Sequence, residues 1–231
     1  MQIKIISLNL GGFTNWQSRL VSIVKYLNKE NPDILLLQEV RFNLDLAYHN
    51  QATELNEHLQ SSYTYESVSI SHFYRPSVGK PYREGLAILS HKPLLKSETL
   101  ALTQATDDKH VRLMQNADIQ LEDQNIKVSN VHFSNNNYSS QQLEEVMRVL
   151  TKREEKPIIA GDFNIFDISE HEKLYKGYSV SVDFSNYVSF PSEGKTIDYM
   201  LLPDKYEYQS ITATEGLSDH AALSYVVSLK P

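Results

Sequence analysis

The 231-residue sequence contains no cysteine. That removes disulfide frameworks, thiolate nucleophiles and zinc–thiolate centres in one step. Apolar runs are short, four residues at Ile34 to Leu37, where a bilayer-spanning helix needs about 20. The chain does not open with a basic segment followed by a long apolar stretch, so no export signal is expected and a cytoplasmic setting is. Positive charge is in deficit: 22 Lys and Arg face 29 Asp and Glu, a formal net charge of −7. Non-specific binding to duplex nucleic acid depends on basic side chains neutralising phosphates, so this balance disfavours it while leaving room for a local basic patch. There is no 20–50-residue repeat and no low-complexity tract. What remains is 41% hydrophobic and 22% charged, the make-up of an ordinary folded protein long enough to bury a substantial core. Nothing marks a linker, so residues 1–231 are expected to form one domain, and a monomer.

The hydrophobic period alternates between helix-like and strand-like. Gln2 to Leu8 is β-branched and reads as a strand. From Trp16 to Asn31, Leu20, Ile23, Val24 and Leu27 share one helical face, with Asn15 as the expected N-cap and Pro32 closing the helix. Asp33 to Gln38 is apolar at consecutive positions, as in a strand covered on both faces. Leu46 to Leu59 reads as a helix. Strand-like runs follow at Tyr63 to Ile70, Gly85 to Leu89, His110 to Leu121 and Ile126 to Phe133. The polar stretch Ser134 to Ser140 reads as a loop. Ser139 with Gln142 then predicts a capping box ahead of an amphipathic helix carrying Leu143, Val146, Val149 and Leu150. Pro157 to Ala160, Thr196 to Leu202, Tyr208 to Thr214 and Ala221 to Leu229 complete the strands. Three helices and about ten strands imply a two-sheet core covered by helices.

Polar residues gather where these strands end, the places where sites are commonly built. They are Asn9, Gln38-Glu39, His132, Asp162 and Asn164, Asp198, and Asp219-His220. Each taken singly suits a turn former, a helix cap or a satisfied core histidine as well as a functional group. Together they form a set of oxygen and imidazole donors without thiolates, which suits a hard cation such as Mg²⁺ or Mn²⁺. Glu39 and Asp219 could hold such an ion. A histidine with its tautomer set by a carboxylate could donate to phosphate oxygens.

In order along the chain stand Ser7-Leu8-Asn9, Leu37-Gln38-Glu39-Val40, Glu84-Gly85-Leu86-Ala87-Ile88-Leu89-Ser90, Val131-His132-Phe133, Gly161-Asp162-Phe163-Asn164, Ile197-Asp198-Tyr199 and Ser218-Asp219-His220. This series resembles the endonuclease/exonuclease/phosphatase superfamily, which includes DNase I-like nucleases, abasic-site endonucleases, neutral sphingomyelinases, inositol polyphosphate phosphatases and tyrosyl-DNA phosphodiesterases. The resemblance implies an α/β fold, a four-layer sandwich of two mixed β-sheets packed face to face with helices outside. It implies Glu39 as principal metal ligand, with Asn9 and Asp219 near the ion. Asp162 would orient and deprotonate the attacking water, and Asn164 would hold the phosphate. His220, partnered by Asp198, would stabilise charge on the phosphate oxygens. His132 would be a second phosphate-binding histidine, paired with Glu84. Asn135 stands where abasic-site endonucleases place a phosphate-binding asparagine. Those enzymes carry a tyrosine where His132 stands, which argues against a repair role.

Beyond the resemblance, Arg41 follows the Gln38-Glu39-Val40 segment and is a candidate phosphate contact. Arg75 to Arg83 is the densest basic segment and a candidate substrate lip, with a plain solvated loop as the alternative. The aromatic residues, Tyr199 and Trp16 among them, read as core or ordinary surface rather than a base-stacking platform. The expected function is Mg²⁺-dependent phosphoester hydrolysis, with Mn²⁺ as the alternative ion. The substrate would be a small phosphoester, a lipid headgroup or a nucleic acid. Two rivals are a DNA nuclease, which would nick DNA with strong salt dependence, and a catalytically silent binding module, which would have no need of the whole polar set.

Overall fold

The computed structural model describes residues 2–42, 49–74, 81–104, 106, 108–121, 124–135 and 137–231. Leu46 to Tyr48 of the expected second helix, and Arg75 to Lys80 of the basic lip, lie outside them.

Two six-stranded sheets pack against each other. The first runs in the order β11 (Tyr206–Thr214), β12 (Ala222–Leu229), β1 (Gln2–Asn9), β2 (Ile34–Phe42), β4 (Tyr82–Ser90), β3 (Tyr65–Tyr74). The second runs β5 (Leu94–Ala101), β6 (Leu113–Leu121), β7 (Gln124–His132), β8 (Ile158–Asp162), β10 (Asp198–Pro203), β9 (Tyr178–Val180). Each sheet is antiparallel except at its centre. There a parallel pair is joined by a crossover helix: β1 and β2 through α1 (Trp16–Glu30), β7 and β8 through α3 (Ser139–Lys152). Two shorter α-helices, α2 (Gln51–Glu57) and α4 (Ser181–Phe184), and two 3-10 turns at Ile168–His171 and Pro191–Glu193 complete the helical set among the described residues.

Strand alternation sorts the apolar side chains into three layers. Ile3, Ile5, Ile34, Leu36, Val128, Ile158, Met200 and Tyr225 fill the space between the sheets. Ile6, Leu8, Leu35 and Leu37 face the other way, onto Trp16, Leu20, Ile23 and Leu27 of α1. Val131, Ile159 and Leu201 do the same beneath Leu143, Val146, Met147 and Leu150 of α3. The expected four-layer sandwich is therefore the architecture observed.

Followed along the inner face, this alternation turns polar at one end of the sandwich. Ile3 and Ile5 give way to Ser7 and Asn9, Ile34 and Leu36 to Gln38, Ile126 and Val128 to Asn130 and His132, and Ile158 and Ala160 to Asp162. Gln38 Nε2 donates to Asn130 Oδ1 at 2.7 Å, and Asn130 Nδ2 donates to the Leu37 and Ala87 carbonyls at 2.9 and 3.0 Å. These buried amides tie the two sheets together directly beneath the functional end, with fixed partners that only one register satisfies.

Several local expectations are corrected. Asn15 does precede α1, but with φ 50° its side chain makes no cap. Ser139 is the first residue of α3 rather than its cap, and no capping box forms. Gln142 instead uses its amide on Ser134 N and Thr103 O, both at loop positions. The second helix is short and starts at Gln51, capped by Asn50, whose side chain accepts from Ala52 N and Thr53 N. Two edge strands carry little hydrophobic signal. β5 is mostly exposed and interrupted by Lys96, Ser97 and Glu98, and β9 has three residues.

Candidate active site

The polar ends of the strands converge on one cleft of about 720 Å³. Strand register does most of the positioning. His132 on β7 and Asp198 on β10 both stand opposite Asp162, which ends β8 between them. β8 can lie this close to β7 because position 161 is glycine: at φ 144° a Cβ there would overlap the Val131 carbonyl oxygen. Asp162 Oδ1 then accepts from the backbone N–H of Asn164, at 3.0 Å. Asn164, held at φ 49°, donates its side-chain amide to Phe133 O at 3.0 Å. Glu39 owes its position to a β-bulge in β2, where Gln38 and Glu39 together face Leu86, and it sits at φ 50°. A left-handed non-glycine residue is a local strain that the surrounding strands enforce.

The electrostatics divide the site in two. His220 Nδ1 is 2.9 Å from Asp198 Oδ2, and its Nε2 is 3.8 Å from Asp162 Oδ2. Burial works against the His220 imidazolium. The charge and hydrogen bond of Asp198 outweigh it, with help from Asp162 and Asp219, and raise the group to about 10. Burial, and then the negative charge of Asp198, push the Asp162 carboxyl up to about 7, against the opposing pull of His220 and Asn9. Both groups are raised, one to about 10 and the other to about 7, so at neutral pH the imidazole carries a proton beside a carboxylate that can accept one. Glu39 is half-buried and is raised by burial and by the charge of Glu84, opposed by Arg41 and Asn9. Asn9 Nδ2 joins the two regions, donating to Asp162 Oδ2 at 3.0 Å and lying 3.4 Å from Glu39 Oε1.

Asp162, Asp198 and His220 also have one ligating atom each within 4.8 Å of one another. The His220–Asp198 hydrogen bond makes that trio a poor ion cage, since an imidazolium has no lone pair to offer. Glu39, with the exposed Asp219 beside it at the cleft, is the better place for a cation.

His132 departs from expectation. Glu84 does not pair with it. Glu84 Oε2 takes Arg41 Nε at 3.2 Å, and its Oε1 lies 3.6 Å from His110 Nδ1. Arg41 also stacks over Tyr82, 3.9 Å from the ring centroid, so its guanidinium is engaged and neither it nor Glu84 lines the cleft. Both act on Glu39 through charge instead. His132 Nε2 faces Arg112 Nη1 at 2.9 Å. Arginine can only donate, so this nitrogen accepts and the ring is neutral. Burial and the positive charges of Arg112, His220 and His110 hold it there, well below the ordinary histidine range.

Arg112 is the residue that sequence reasoning missed. It is buried, lines the cleft, and is fixed by Asp108 Oδ2 at 2.8 Å, which also accepts from Ser134 Oγ. A charged residue at the start of a strand destined for burial was the available signal, because arginine is seldom buried without a partner. Asn135 is exposed on the cleft wall and Asp219 on its rim, while Asn164 is half-buried on its floor.

The sequence from residue 6 to residue 220 matches the family model described as the Endonuclease/Exonuclease/phosphatase family. The chain belongs to this family. Solved members of the fold agree in architecture. An endonuclease/exonuclease/phosphatase family protein from Leptotrichia buccalis superposes with a TM-score of 0.79 at 18% identity, covering 99% of this chain and 100% of its own. The human Nocturnin catalytic domain, with bound sulfate, gives 0.71 at 17% identity, covering 99% and 94%. D. rerio TDP2, complexed with a single-strand DNA product, gives 0.70 at 19%, covering 98% and 99%. No curated protein matches the sequence. At these identities the structural likeness speaks for the fold. No helix among the described residues is long and apolar enough to cross a membrane.

Proposed function

We propose that this family member is a Mg²⁺-dependent phosphoester hydrolase, with Mn²⁺ as an alternative ion, that directs water at phosphorus in line with the leaving oxygen. One observation carries this reading: His220, from the first sheet, is hydrogen-bonded to Asp198 of the second directly beside Asp162. That gives a proton-bearing cation and a poised base within one phosphate's reach.

The donor chemistry fits a hard dication. The cleft is lined by Glu39, Asp162, Asp167, Glu170, Glu193 and Asp219, with Arg112 and Lys195 as its permanent side-chain cations. A phosphate anion entering such a site meets a carboxylate excess, which a bound cation would relieve. Glu39 would hold the ion, with Asp219 alongside and Asn9 restraining Glu39 by hydrogen bonding. Once bound, the ion supplies charge neutralisation at the phosphate oxygens.

The protein's own groups account for the rest. Asp162 accepts the proton of the attacking water, the role that its elevated pKa suits. Asn164 fixes Asp162 through its backbone N–H, and its side-chain amide, one hydrogen of which goes to Phe133 O, has a second to offer the phosphate. His220 donates from Nε2 to an oxygen on which charge accumulates, while Asp198 keeps the imidazolium oriented through Nδ1. Arg112 offers a fixed guanidinium on the opposite side, with neutral His132 holding it in place. No covalent intermediate is needed. The acidity of the cleft disfavours long duplex DNA and favours a short or single ester.

The test is hydrolysis of a generic phosphodiester with Mg²⁺ or Mn²⁺, with and without chelator, in the wild type and in Glu39→Ala and His220→Ala. Activity should require the metal and fall at least about 100-fold in each variant. Wild-type rates in both variants would refute the assignment.

A further inference from the structure

One wall of the cleft does nothing in this chemistry. It is built by Phe166, Phe190 and Lys195. Phe166 follows Asn164 by two residues, and its ring is 67% exposed while neighbouring Ile165 is 4% exposed. A single exposed apolar residue is ordinary, but an aromatic ring that lines the cleft beside Asn164 is a surface on which a planar group can stack. Its backbone is not loose. The Tyr199 hydroxyl lies 3.0 and 3.1 Å from the carbonyl oxygens of Ile165 and Phe166 and 2.7 Å from that of Thr196. Lys195 Nζ stands 5.6 Å from the Phe166 ring centroid and is itself bonded to Glu193 at 2.6 Å. Phe190 continues the wall inward, its ring centroid 4.9 Å from that of His220. The aromatic surface thus begins at the histidine that would touch the phosphate and ends at the cleft mouth.

The cleft lining also has a different element. Asn135 and Asn137 are exposed in it and offer amide donors and acceptors. Among the described residues of the cleft lining near Phe166 in sequence or contact, Asp167, Glu170 and Glu193 stand against one cation, Lys195. That acidic rim repels further phosphates and leaves an uncharged planar group as the fitting occupant.

We infer that Phe166 and Phe190 form a stacking subsite for a nucleobase of a short nucleotide ester, adjoining the scissile phosphate. The inference rests on the hydrolase reading and narrows its substrate class. A preformed ring on a pinned backbone loses little freedom when a base stacks on it, so the contact contributes to binding with small ordering cost. The Asn135 and Asn137 amides that line the same cleft offer hydrogen bonds to the edges of that base. The acidic rim confines the ligand to one or two nucleotides.

The experiment uses the full chain with Mg²⁺ and three probes: the dinucleoside monophosphate TpT and its two counterparts in which one or the other thymine is removed. Phe166→Ala should raise KM for TpT at least tenfold while leaving KM for one of the abasic counterparts unchanged. Phe166→Trp should restore the TpT value, and kcat should change little in either variant. Equal effects on all three probes, or none, would overturn the subsite. The Asp162→Asn variant separates this outcome from failure of the hydrolase reading. In equilibrium dialysis with Mg²⁺ it should retain TpT over the abasic probes by tenfold or more, and Phe166→Ala on that background should erase the preference. Preference without turnover in the wild type would sink the hydrolase reading and keep the subsite. Turnover without preference would do the reverse.

Discussion

The two sheets contribute unlike halves to one cleft. From the first come Asn9, Glu39 and Asp219, the last in the turn between β11 and β12. Their region is partly open, and Glu39 is destabilised by burial and by Glu84, so it is a place where positive charge is wanted. From the second come His132, Asp162, Asn164 and Asp198, most of them buried and matched by register or hydrogen bonds. His220 crosses over: it belongs to the first sheet's last turn and takes its partner from the second. On the proposed reading, the Glu39 region can stay soft and partly open, because a bound cation would organise it. Proton chemistry has to be built in advance, because its pKa values come from burial and fixed partners.

The sharpest way to test this division is to remove one group from each half. Asp162→Asn should reduce kcat/KM by about 1,000-fold at every metal concentration, since a carboxamide accepts no proton. Glu39→Gln should lower metal affinity by about 100-fold, read by isothermal titration, and should recover part of its activity at high Mg²⁺. If both variants respond alike to added metal, the two halves are not distinct.

Glycines separate the halves in a second way. Gly161→Ala sets a Cβ against backbone in the second sheet and should destabilise the fold by about 3 kcal/mol, measured by urea unfolding. Gly11→Ala in the first half brings its Cβ to 2.6 Å from Asp219 Oδ1, a side chain that can move. It should weaken metal binding several-fold and cost about 1 kcal/mol of stability, because φ there is positive.

The pH profile probes the Asp162–His220 pair. The proposed mechanism requires Asp162 ionised and His220 protonated, so kcat/KM should rise through about pH 7 and fall through about pH 10. Asp198→Asn should move the alkaline limb down toward the ordinary histidine value of 6.5. Stability follows the same groups. Because His220 is raised on folding, its contribution is complete below 6.5 and is lost as pH rises through about 10. Asp162 is also raised, so the metal-free protein loses stability between about pH 3.8 and 7, where the unfolded chain releases this proton and the buried carboxyl still holds it. Melting temperatures of the chelated protein at pH 4, 7 and 10 should therefore fall in that order at these positions, and the first step should shrink when Asp162 is replaced by Asn.

Much of this was legible before any coordinates. The apolar pattern gave ten of the strands, and the ordered motifs pointed to one end of a two-sheet sandwich. Strands with strong alternation, such as Ile3 to Asn9 and Ile126 to His132, announce both their element and the face on which the polar residue emerges. β5 and β9 escaped because edge strands need not bury much. The capping box at Ser139 failed because Gln142 found better-placed partners in Ser134 and Thr103, a tertiary bond overriding a local one.

The amino-acid order alone determined which residues end the strands and on which face they emerge, because side-chain direction follows from a period of two. The family resemblance had already set Asp198 beside His220, as observed, and only the folded chain decided the other pairings: Arg112 with His132, Glu84 with Arg41 and His110. Those partners lie 20 or more residues apart and on different strands and loops. Their distances depend on sheet register, a bulge at Glu39 and the packing of one sheet on the other, none of which a linear pattern encodes.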